Sequence, residues 1–143
     1  MMAEIRSLAG HCHCQNVLVT FETTKPLEQL AIRACTCSFC TQHGARHATD
    51  PEGLVQITVR DPSKLNRYRF ALKTSDFLVC RECGVYLGAI YTEGDKSYAT
   101  VNVNNFEQLE AFSKQPEPVS YDHETEIERR ARRKAKWTPA RVC

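Results

Sequence analysis

The chain has 143 residues, a length that suits one domain with a hydrophobic core of its own. Its formal net charge of +2 is too small for the molecule as a whole to favour nucleic acid or an anionic membrane as a partner. No apolar run is long enough to span a membrane, and the first residues lack the basic start and apolar stretch of a signal peptide. We therefore expect a cytoplasmic protein.

Alternating apolar residues predict β-strands through the first two-thirds of the chain. The predicted strands are residues 16–23, 30–34, 54–59, 67–72, 85–92 and 97–103. The last two flank the turn sequence EGDK, which predicts a hairpin. Short strands at this spacing indicate a mainly β fold, a meander or a sandwich, with loops that carry the cysteines.

Helix is predicted only near the C-terminal end. Residues 104–112 begin with good cap residues and predict a turn or two, and residues 114–119 predict a proline-rich linker. Residues 125–137 predict a helix that opens on a capping box between Thr125 and Glu128 and ends before Pro139. We therefore expect a domain over residues 1–119, followed by a basic helical extension over residues 120–143.

The extension carries acids at the start of its helix and bases at the end. Glu126 and Glu128 stand four residues before Arg130 and Arg132, which is the favourable order for ion pairs along a helix. Residues 129–141 hold seven basic side chains and no acidic one. The helix dipole favours this arrangement without any partner, so nucleic-acid binding is disfavoured. Trp137 is predicted to anchor the helix against the body or against a second subunit, which leaves room for a homodimer.

Eight cysteines in a cytoplasmic protein indicate metal or redox chemistry rather than a disulfide framework. Seven of them divide most economically as four plus three. The CHC and CREC motifs together supply four thiolates, enough for a structural zinc, and CTCSFC supplies three. Cys143 belongs to no cluster and is expected to be an exposed thiol. The seven clustered residues are Cys12, Cys14, Cys35, Cys37, Cys40, Cys80 and Cys83.

Nearby histidines leave other ligand sets open. His43 or His47 could close a site of three cysteines and one histidine with CTCSFC, and His11 or His13 could enter the first cluster. If neither His43 nor His47 is a ligand, the fourth position of the three-cysteine site is left for a substrate.

Three motifs in order carry a family resemblance: G-x-C-x-C at residues 10–14, C-x-C-S-x-C at 35–40 and C-x-x-C-G at 80–84. The chain resembles, over about residues 5–113, the glutathione-dependent formaldehyde-activating enzymes, a family that includes the centromere protein V relatives. The resemblance implies an Mss4-like fold of zinc-stapled β-sheets for the first domain. Gln15 departs from the motif, since many members have glycine there.

The resemblance also implies which cysteines bind which metal ion. Cys12, Cys14, Cys80 and Cys83 would hold the structural zinc. The triplet Cys35, Cys37 and Cys40 would hold a second, catalytic-type zinc, at which glutathione and formaldehyde meet to give S-hydroxymethylglutathione.

Three thiolates leave a zinc centre with a net charge of about −1, which makes it a weak acidifier of bound water. Such a centre instead suits a substrate thiol, which it would hold deprotonated at neutral pH although the free thiol has a pKa of about 8.5. The predicted activity is that of a carbon–sulfur lyase that joins or separates a thiol such as glutathione and an aldehyde such as formaldehyde. The competing class is a non-catalytic zinc protein, either a carrier or an interaction module.

Three further residues are candidates for this site. His43 and His47 are the titratable groups nearest to the triplet in sequence and are predicted to move the proton of the reaction. Arg46 is predicted to bind a carboxylate of glutathione. The expected cofactors are two zinc ions per chain, with glutathione as a co-substrate.

Overall fold

The central strands follow the alternation of apolar residues. The computed structural model describes residues 4–108, 112 and 114–143. In it, β2 buries Val17, Val19 and Phe21 on one face and pairs antiparallel with β1 and β5. The strands are β1 (Arg6–His11), β2 (Val17–Thr23), β3 (Arg33–Cys35), β4 (His47–Ala48), β5 (Leu54–Val59), β6 (Leu65–Tyr68), β7 (Asp76–Cys80), β8 (Tyr86–Glu93), β9 (Lys96–Asn102), β10 (Glu117–Val119) and β11 (Thr138–Val142), and the α-helices are α1 (Ser38–His43) and α2 (Glu126–Lys136).

All eleven strands of the described residues belong to one sheet. One path through it runs β1-β2-β5-β11-β9-β4-β3-β10, and β8, β7 and β6 extend from β9 as a second branch. Strand β9 therefore lies at the branch point, where it pairs with β8, β11 and β4. The predicted mainly β class, with a short helix and a C-terminal helix, is confirmed.

Four of the predicted strands form within one residue of the predicted bounds: 16–23, 54–59, 85–92 and 97–103. The hairpin around EGDK is confirmed as β8 and β9. The prediction for 30–34 was partly wrong, because the strand begins only at Arg33. The prediction for 67–72 was wrong beyond Tyr68, because Ala71 and Lys73 have positive φ angles of 54° and 55° and the backbone turns there.

Strand β1 was missed because its apolar alternation is interrupted by glycine. Gly10 packs so closely on the segment after β9 that a Cβ atom there would lie 2.6 Å from the carbonyl oxygen of Asn105. The same contact lies within the segment 104–112, for which a turn or two of helix was predicted. Between Val103 and Gln108 the described residues form one 3-10 turn, Val103–Asn105, and Phe106 then makes a β-bridge to Gly10. Residues 109–111 of that prediction lie outside the described residues.

The predicted linker over 114–119 was wrong for its second half. Residues Glu117–Val119 form β10, which pairs in parallel with β3 at one end of the path through the sheet. Pro118 cannot donate a hydrogen bond to a neighbouring strand, and an edge strand is the place where that loss is tolerated.

The C-terminal helix begins as predicted, with the Thr125 and Glu128 capping box, and Arg130 pairs with Glu126 at 2.8 Å. The predicted pair between Glu128 and Arg132 was wrong. The Glu128 carboxylate caps the helix, and Arg132 pairs with Glu124 instead. None of the described helices is long and apolar enough to cross a membrane.

Trp137 leads from α2 into β11, which is inserted in the sheet between β5 and β9. Its side chain is buried against Ala89 and Tyr91 of β8, so it packs against the body of the same chain. The division of the chain at residue 119 stays a prediction, and β11 joins the sheet that the strands before that residue form.

We expect the substitution Trp137→Ala to lower the free energy of unfolding by about 3–5 kcal/mol, because it empties a buried site. Ile127→Ala on the same helix is the matched control. That side chain is 81% exposed, so its loss should change stability by less than about 0.5 kcal/mol. Urea denaturation of the zinc-saturated proteins measures both, and equal stabilities would contradict the anchoring role of Trp137.

Candidate active site

The first cysteine cluster joins two parts of the chain that are far apart in sequence. The sulfur atoms of Cys12, Cys14, Cys80 and Cys83 all lie within 4.8 Å of one another. Cys12 and Cys14 follow the end of β1, Cys80 is the last residue of β7 and Cys83 follows it, and the backbone N–H of Val17 donates to the Cys12 sulfur at 3.3 Å. Four sulfurs in one group can hold a metal ion and are compatible with a structural zinc.

Tight turns bring each pair of sulfurs into this group. Gly84 follows the second pair with a φ of 78°, in the left-handed region that glycine adopts without strain. Gln15 follows the first pair with a φ of 67°, so a side chain occupies a backbone conformation that suits glycine. The glycine of many family members at this position thus has a physical reason, and this chain adopts the same turn without it.

The second cluster is built on the junction of β3 and α1. Cys35 ends β3, Cys37 is the N-cap residue of α1, and Cys40 lies in the first turns of that helix. The backbone N–H of Cys40 donates to the Cys37 sulfur at 3.4 Å, and the three sulfurs lie within 4.8 Å of one another. His43 and His47 do not belong to this group, nor do His11 and His13 belong to the other, in the part of the chain that the structure describes.

The closeness of the three thiols and their burial oppose the ionisation of all three at the same time. Hydrogen bonding to Cys35, burial, and the charges of the neighbouring sulfurs raise the pKa of Cys40. The pKa of Cys35 is lowered to about 6, chiefly because the Cys40 thiol hydrogen-bonds to its thiolate. One thiolate is therefore easily formed, whereas three would need a cation among them. The triplet fits a thiolate-binding metal ion such as zinc.

All three cysteines of the triplet line a cavity of about 310 Å³, which is large enough for a small organic molecule. Its walls come from the triplet, from residues 70–77, from the segment 119–124 and from α2. Aromatic rings supply much of the apolar surface. They belong to Phe70, Phe77, Tyr86, Tyr121 and Trp137.

His47 lies in this cavity wall, and His43 does not. The Nε2 atom of His47 is 2.9 Å from the hydroxyl oxygen of Tyr86, and the imidazole is only 7% exposed. Burial, helped by the charge of Arg33, lowers the pKa of His47 to about 4, and burial raises the pKa of Tyr86. Both groups are therefore neutral at pH 7. The exposed His43 ring packs on Phe39, with centroids 4.5 Å apart, and lines a separate groove.

Arg46 also lies outside the residues that line the cavity. Its Nε donates to the Asn104 side chain at 2.7 Å and its Nη1 to the carbonyl oxygen of Phe112 at 2.6 Å, so the guanidinium holds two backbone segments together. Other arginines line the cavity instead. They are Arg33, Arg129, Arg132 and Arg133.

Two of these arginines share one acid. The Glu124 carboxylate accepts from Arg132 Nε at 2.7 Å and lies 3.4 Å from Arg129 Nε, and the Arg132 guanidinium stacks 3.5 Å from the Tyr121 ring centroid. Burial by itself would raise the pKa of Glu124, yet the two arginines together lower it. The pair of arginines and their acid thus form a charged wall of net charge about +1.

Sequence reasoning missed Tyr86 and the arginines of α2. Tyr86 follows the CREC motif, which belongs to the other cysteine group, and only the folded chain brings it against Phe39 and Cys40 of α1. The α2 residues did carry a signal: Arg129, Arg132 and Arg133 follow the i, i+3, i+4 spacing that places side chains on one face of a helix.

We expect two zinc ions per chain in the protein as isolated and one in Cys37→Ser, because two remaining thiolates would hold the second ion too weakly. Cys143→Ser is the control and should keep both ions, since Cys143 is exposed and outside both groups. Elemental analysis after dialysis against a weak chelator measures the content. Two ions retained in Cys37→Ser would contradict the three-cysteine site.

We expect His47 to make stability sensitive to acid. Its pKa falls from 6.5 to about 4 on folding, so the unfolded chain binds the extra proton between these values and stability is lost as pH falls below 6.5. The loss for the unmodified protein should exceed that of His47→Gln by about 2–3 kcal/mol between pH 7.5 and pH 4.5. Urea denaturation of both proteins at each pH measures it. Identical losses would show that His47 is not buried as a neutral group.

Comparison with known proteins places these features in a family. The family model described as glutathione-dependent formaldehyde-activating enzyme matches residues 7–122, which include both cysteine groups. A crystal structure of a Rhodobacter sphaeroides protein, a structural-genomics target, is 26% identical, with a TM-score of 0.60. The match covers 78% of this chain and 99% of that one. None of the curated proteins compared matches this chain. The chain belongs to the glutathione-dependent formaldehyde-activating enzyme family.

Proposed function

We propose that this protein is a zinc-dependent carbon–sulfur lyase, which joins or separates a thiol such as glutathione and an aldehyde such as formaldehyde. One observation carries the proposal: a group of three cysteine sulfurs, which no histidine completes among the described residues, lies in the wall of a cavity. A purely structural zinc site would take its fourth ligand from the protein. The family supports the choice of thiol and aldehyde.

Cys35, Cys37 and Cys40 would hold the second zinc. A zinc ion with three thiolate ligands keeps a fourth position for an exchangeable ligand and stabilises a thiol in its deprotonated form at neutral pH. The other four cysteines would hold the structural zinc, which ties β1 to the end of β7. The cavity walls bring thiol and aldehyde together, and because these compounds already react in water, proximity and orientation supply much of the rate.

The sulfur of the deprotonated thiol bonds to the carbonyl carbon of the aldehyde while the C=O π bond breaks. The carbonyl oxygen takes up one proton, which balances the proton that the thiol has released. Tyr86 lines the cavity and keeps its own proton at pH 7, so its hydroxyl can donate to that oxygen as charge develops. His47 would act through Tyr86, because its Nε2 lies 2.9 Å from the tyrosine oxygen. In the tautomer protonated at Nε2, the imidazole donates to that oxygen and leaves the hydroxyl proton directed to the aldehyde. His43 has no part in this proposal, since its ring lies outside the cavity.

The competing function, a non-catalytic carrier or interaction module, requires a zinc with a full set of protein ligands. His43 and His47 were the candidates for that fourth ligand, and neither ring nitrogen joins the three sulfurs. The arrangement of the cavity therefore favours a lyase over the non-catalytic class.

The test is the rate at which glutathione, formaldehyde and their adduct interconvert, measured by NMR exchange with 13C-labelled formaldehyde. We expect the zinc-loaded protein to raise that rate at least about tenfold over buffer, Cys37→Ser to abolish the increase, and Cys143→Ser to leave it unchanged. A protein that holds two zinc ions, accelerates no thiol–aldehyde pair and binds no thiol at its second site would be a non-catalytic zinc protein instead.

A further inference from the structure

We propose that Arg133 and Arg33 bind a carboxylate group of the thiol substrate, and that they thereby make the cavity selective for anionic thiols. This assignment rests on the proposed function, because it names the class of thiol that the same cavity accepts. It assigns substrate selection partly to α2, which lies beyond the residues that the family model matches.

Arg133 is a buried cation without a carboxylate partner. Its side chain lines the cavity and is only 6% exposed, and no described carboxylate lies within 4 Å of its guanidinium. Nη1 donates to the hydroxyl groups of Thr74 and Ser75, the second at 2.6 Å, whereas the buried Nε has no partner among the described residues. Neutral hydroxyl groups orient the guanidinium but do not neutralise it.

Arg33 reaches the same cavity from β3. Its Nη2 donates to the Thr49 hydroxyl at 2.7 Å, and the described residues place no carboxylate within 4 Å of it either. The positive charge of Arg33 acts on the other residues of the cavity, since it contributes to the lowered pKa of His47. Two elements that are distant in sequence therefore each direct an unpaired cation to one cavity.

The charges around the cavity do not balance. Four arginines line it, against two carboxylates, those of Asp122 and Glu124. A three-thiolate zinc centre contributes about −1, so an excess of about one positive charge remains. The pKa of Arg133 is lowered to about 10, first by burial and then by the charges of Arg132 and Arg129. The electrostatic potential at Arg133 is thus positive, and a bound anion would lower it.

A carboxylate is the group that best fits these donors. The planar guanidinium group presents paired N–H donors that match two carboxylate oxygens, and such charge-assisted hydrogen bonds are stronger than neutral ones. The triplet cysteines line the same cavity, so a small thiol that also carries a carboxylate can reach both sites. A thiol without the carboxylate would keep only the sulfur interaction.

Binding can be followed without turnover, because the only tryptophan of the chain, Trp137, lines the cavity and stacks 4.8 Å from the Arg133 guanidinium. Fluorescence titration of the zinc-loaded protein compares 3-mercaptopropionate with 2-mercaptoethanol, and propionate is added as a third probe. We expect 3-mercaptopropionate to bind at least about tenfold more tightly than 2-mercaptoethanol.

The variants separate recognition from a merely structural effect. Arg133→Met should bring the ratio of the dissociation constants of 2-mercaptoethanol and 3-mercaptopropionate close to one, and Arg33→Met should reduce that ratio. Where a substitution alters the fluorescence of Trp137, calorimetry measures the same constants. Arg130→Met is the matched control on α2, since Arg130 pairs with Glu126 and does not line the cavity, and its ratio should stay that of the unmodified protein. A structural defect would weaken both thiols equally and leave the ratio unchanged.

The outcomes distinguish this inference from the proposed function. If both thiols bind equally to the unmodified protein, the inference is wrong and the thiol site stands, whether or not the variants fold. If propionate binds as tightly as 3-mercaptopropionate and loses its binding in Arg133→Met, and if 2-mercaptoethanol does not bind, then the sulfur contributes nothing. In that case the anion site stands and the proposed function fails. If the arginine variants weaken both thiols by the same factor, the arginines support the cavity wall and do not recognise the ligand.

Discussion

Thiols held close together resist shared ionisation, and this constraint underlies both the fold and the site. Each of the two cysteine groups has all its sulfur atoms within 4.8 Å, where several thiolates repel one another unless a cation lies between them. The four-cysteine group can use a cation to join β1 to the end of β7. The triplet at the start of α1 offers one ligand fewer, and the cavity adjoins it.

The cavity depends on the C-terminal segment as much as on the cysteines. Strand β11 lies between β5 and β9, and this pairing fixes the end of α2 against β8 through Trp137. Helix α2 then presents Arg129, Arg132 and Arg133 to the cavity. Three of the seven basic side chains between residues 129 and 141 therefore belong to the wall of the site, where Glu124 partly neutralises them.

Residues with strong local signals were predicted correctly. The strands with clear alternation, the EGDK hairpin and the capping box of α2 depend on neighbours within a few positions, so the sequence contains the needed information. The departures arise where distant contacts decide. Gly10 draws Phe106 into a bridge directly after a 3-10 turn, and Pro118 is accepted in β10 because that strand lies at the edge of the sheet, beside β3.

The same division holds for the site. By itself the sequence predicted a group of four cysteines and a group of three as the most economical division, because thiolate number and spacing limit what a tetrahedral metal ion can bind, and the sulfur positions agree with it. Only the tertiary structure decided what surrounds the group of three. Folding buries His47 against Tyr86, leaves His43 and Arg46 outside, and brings Arg33 and Arg133 to one cavity. These placements depend on strand pairing and burial between distant segments, and short-range sequence patterns carry no record of either.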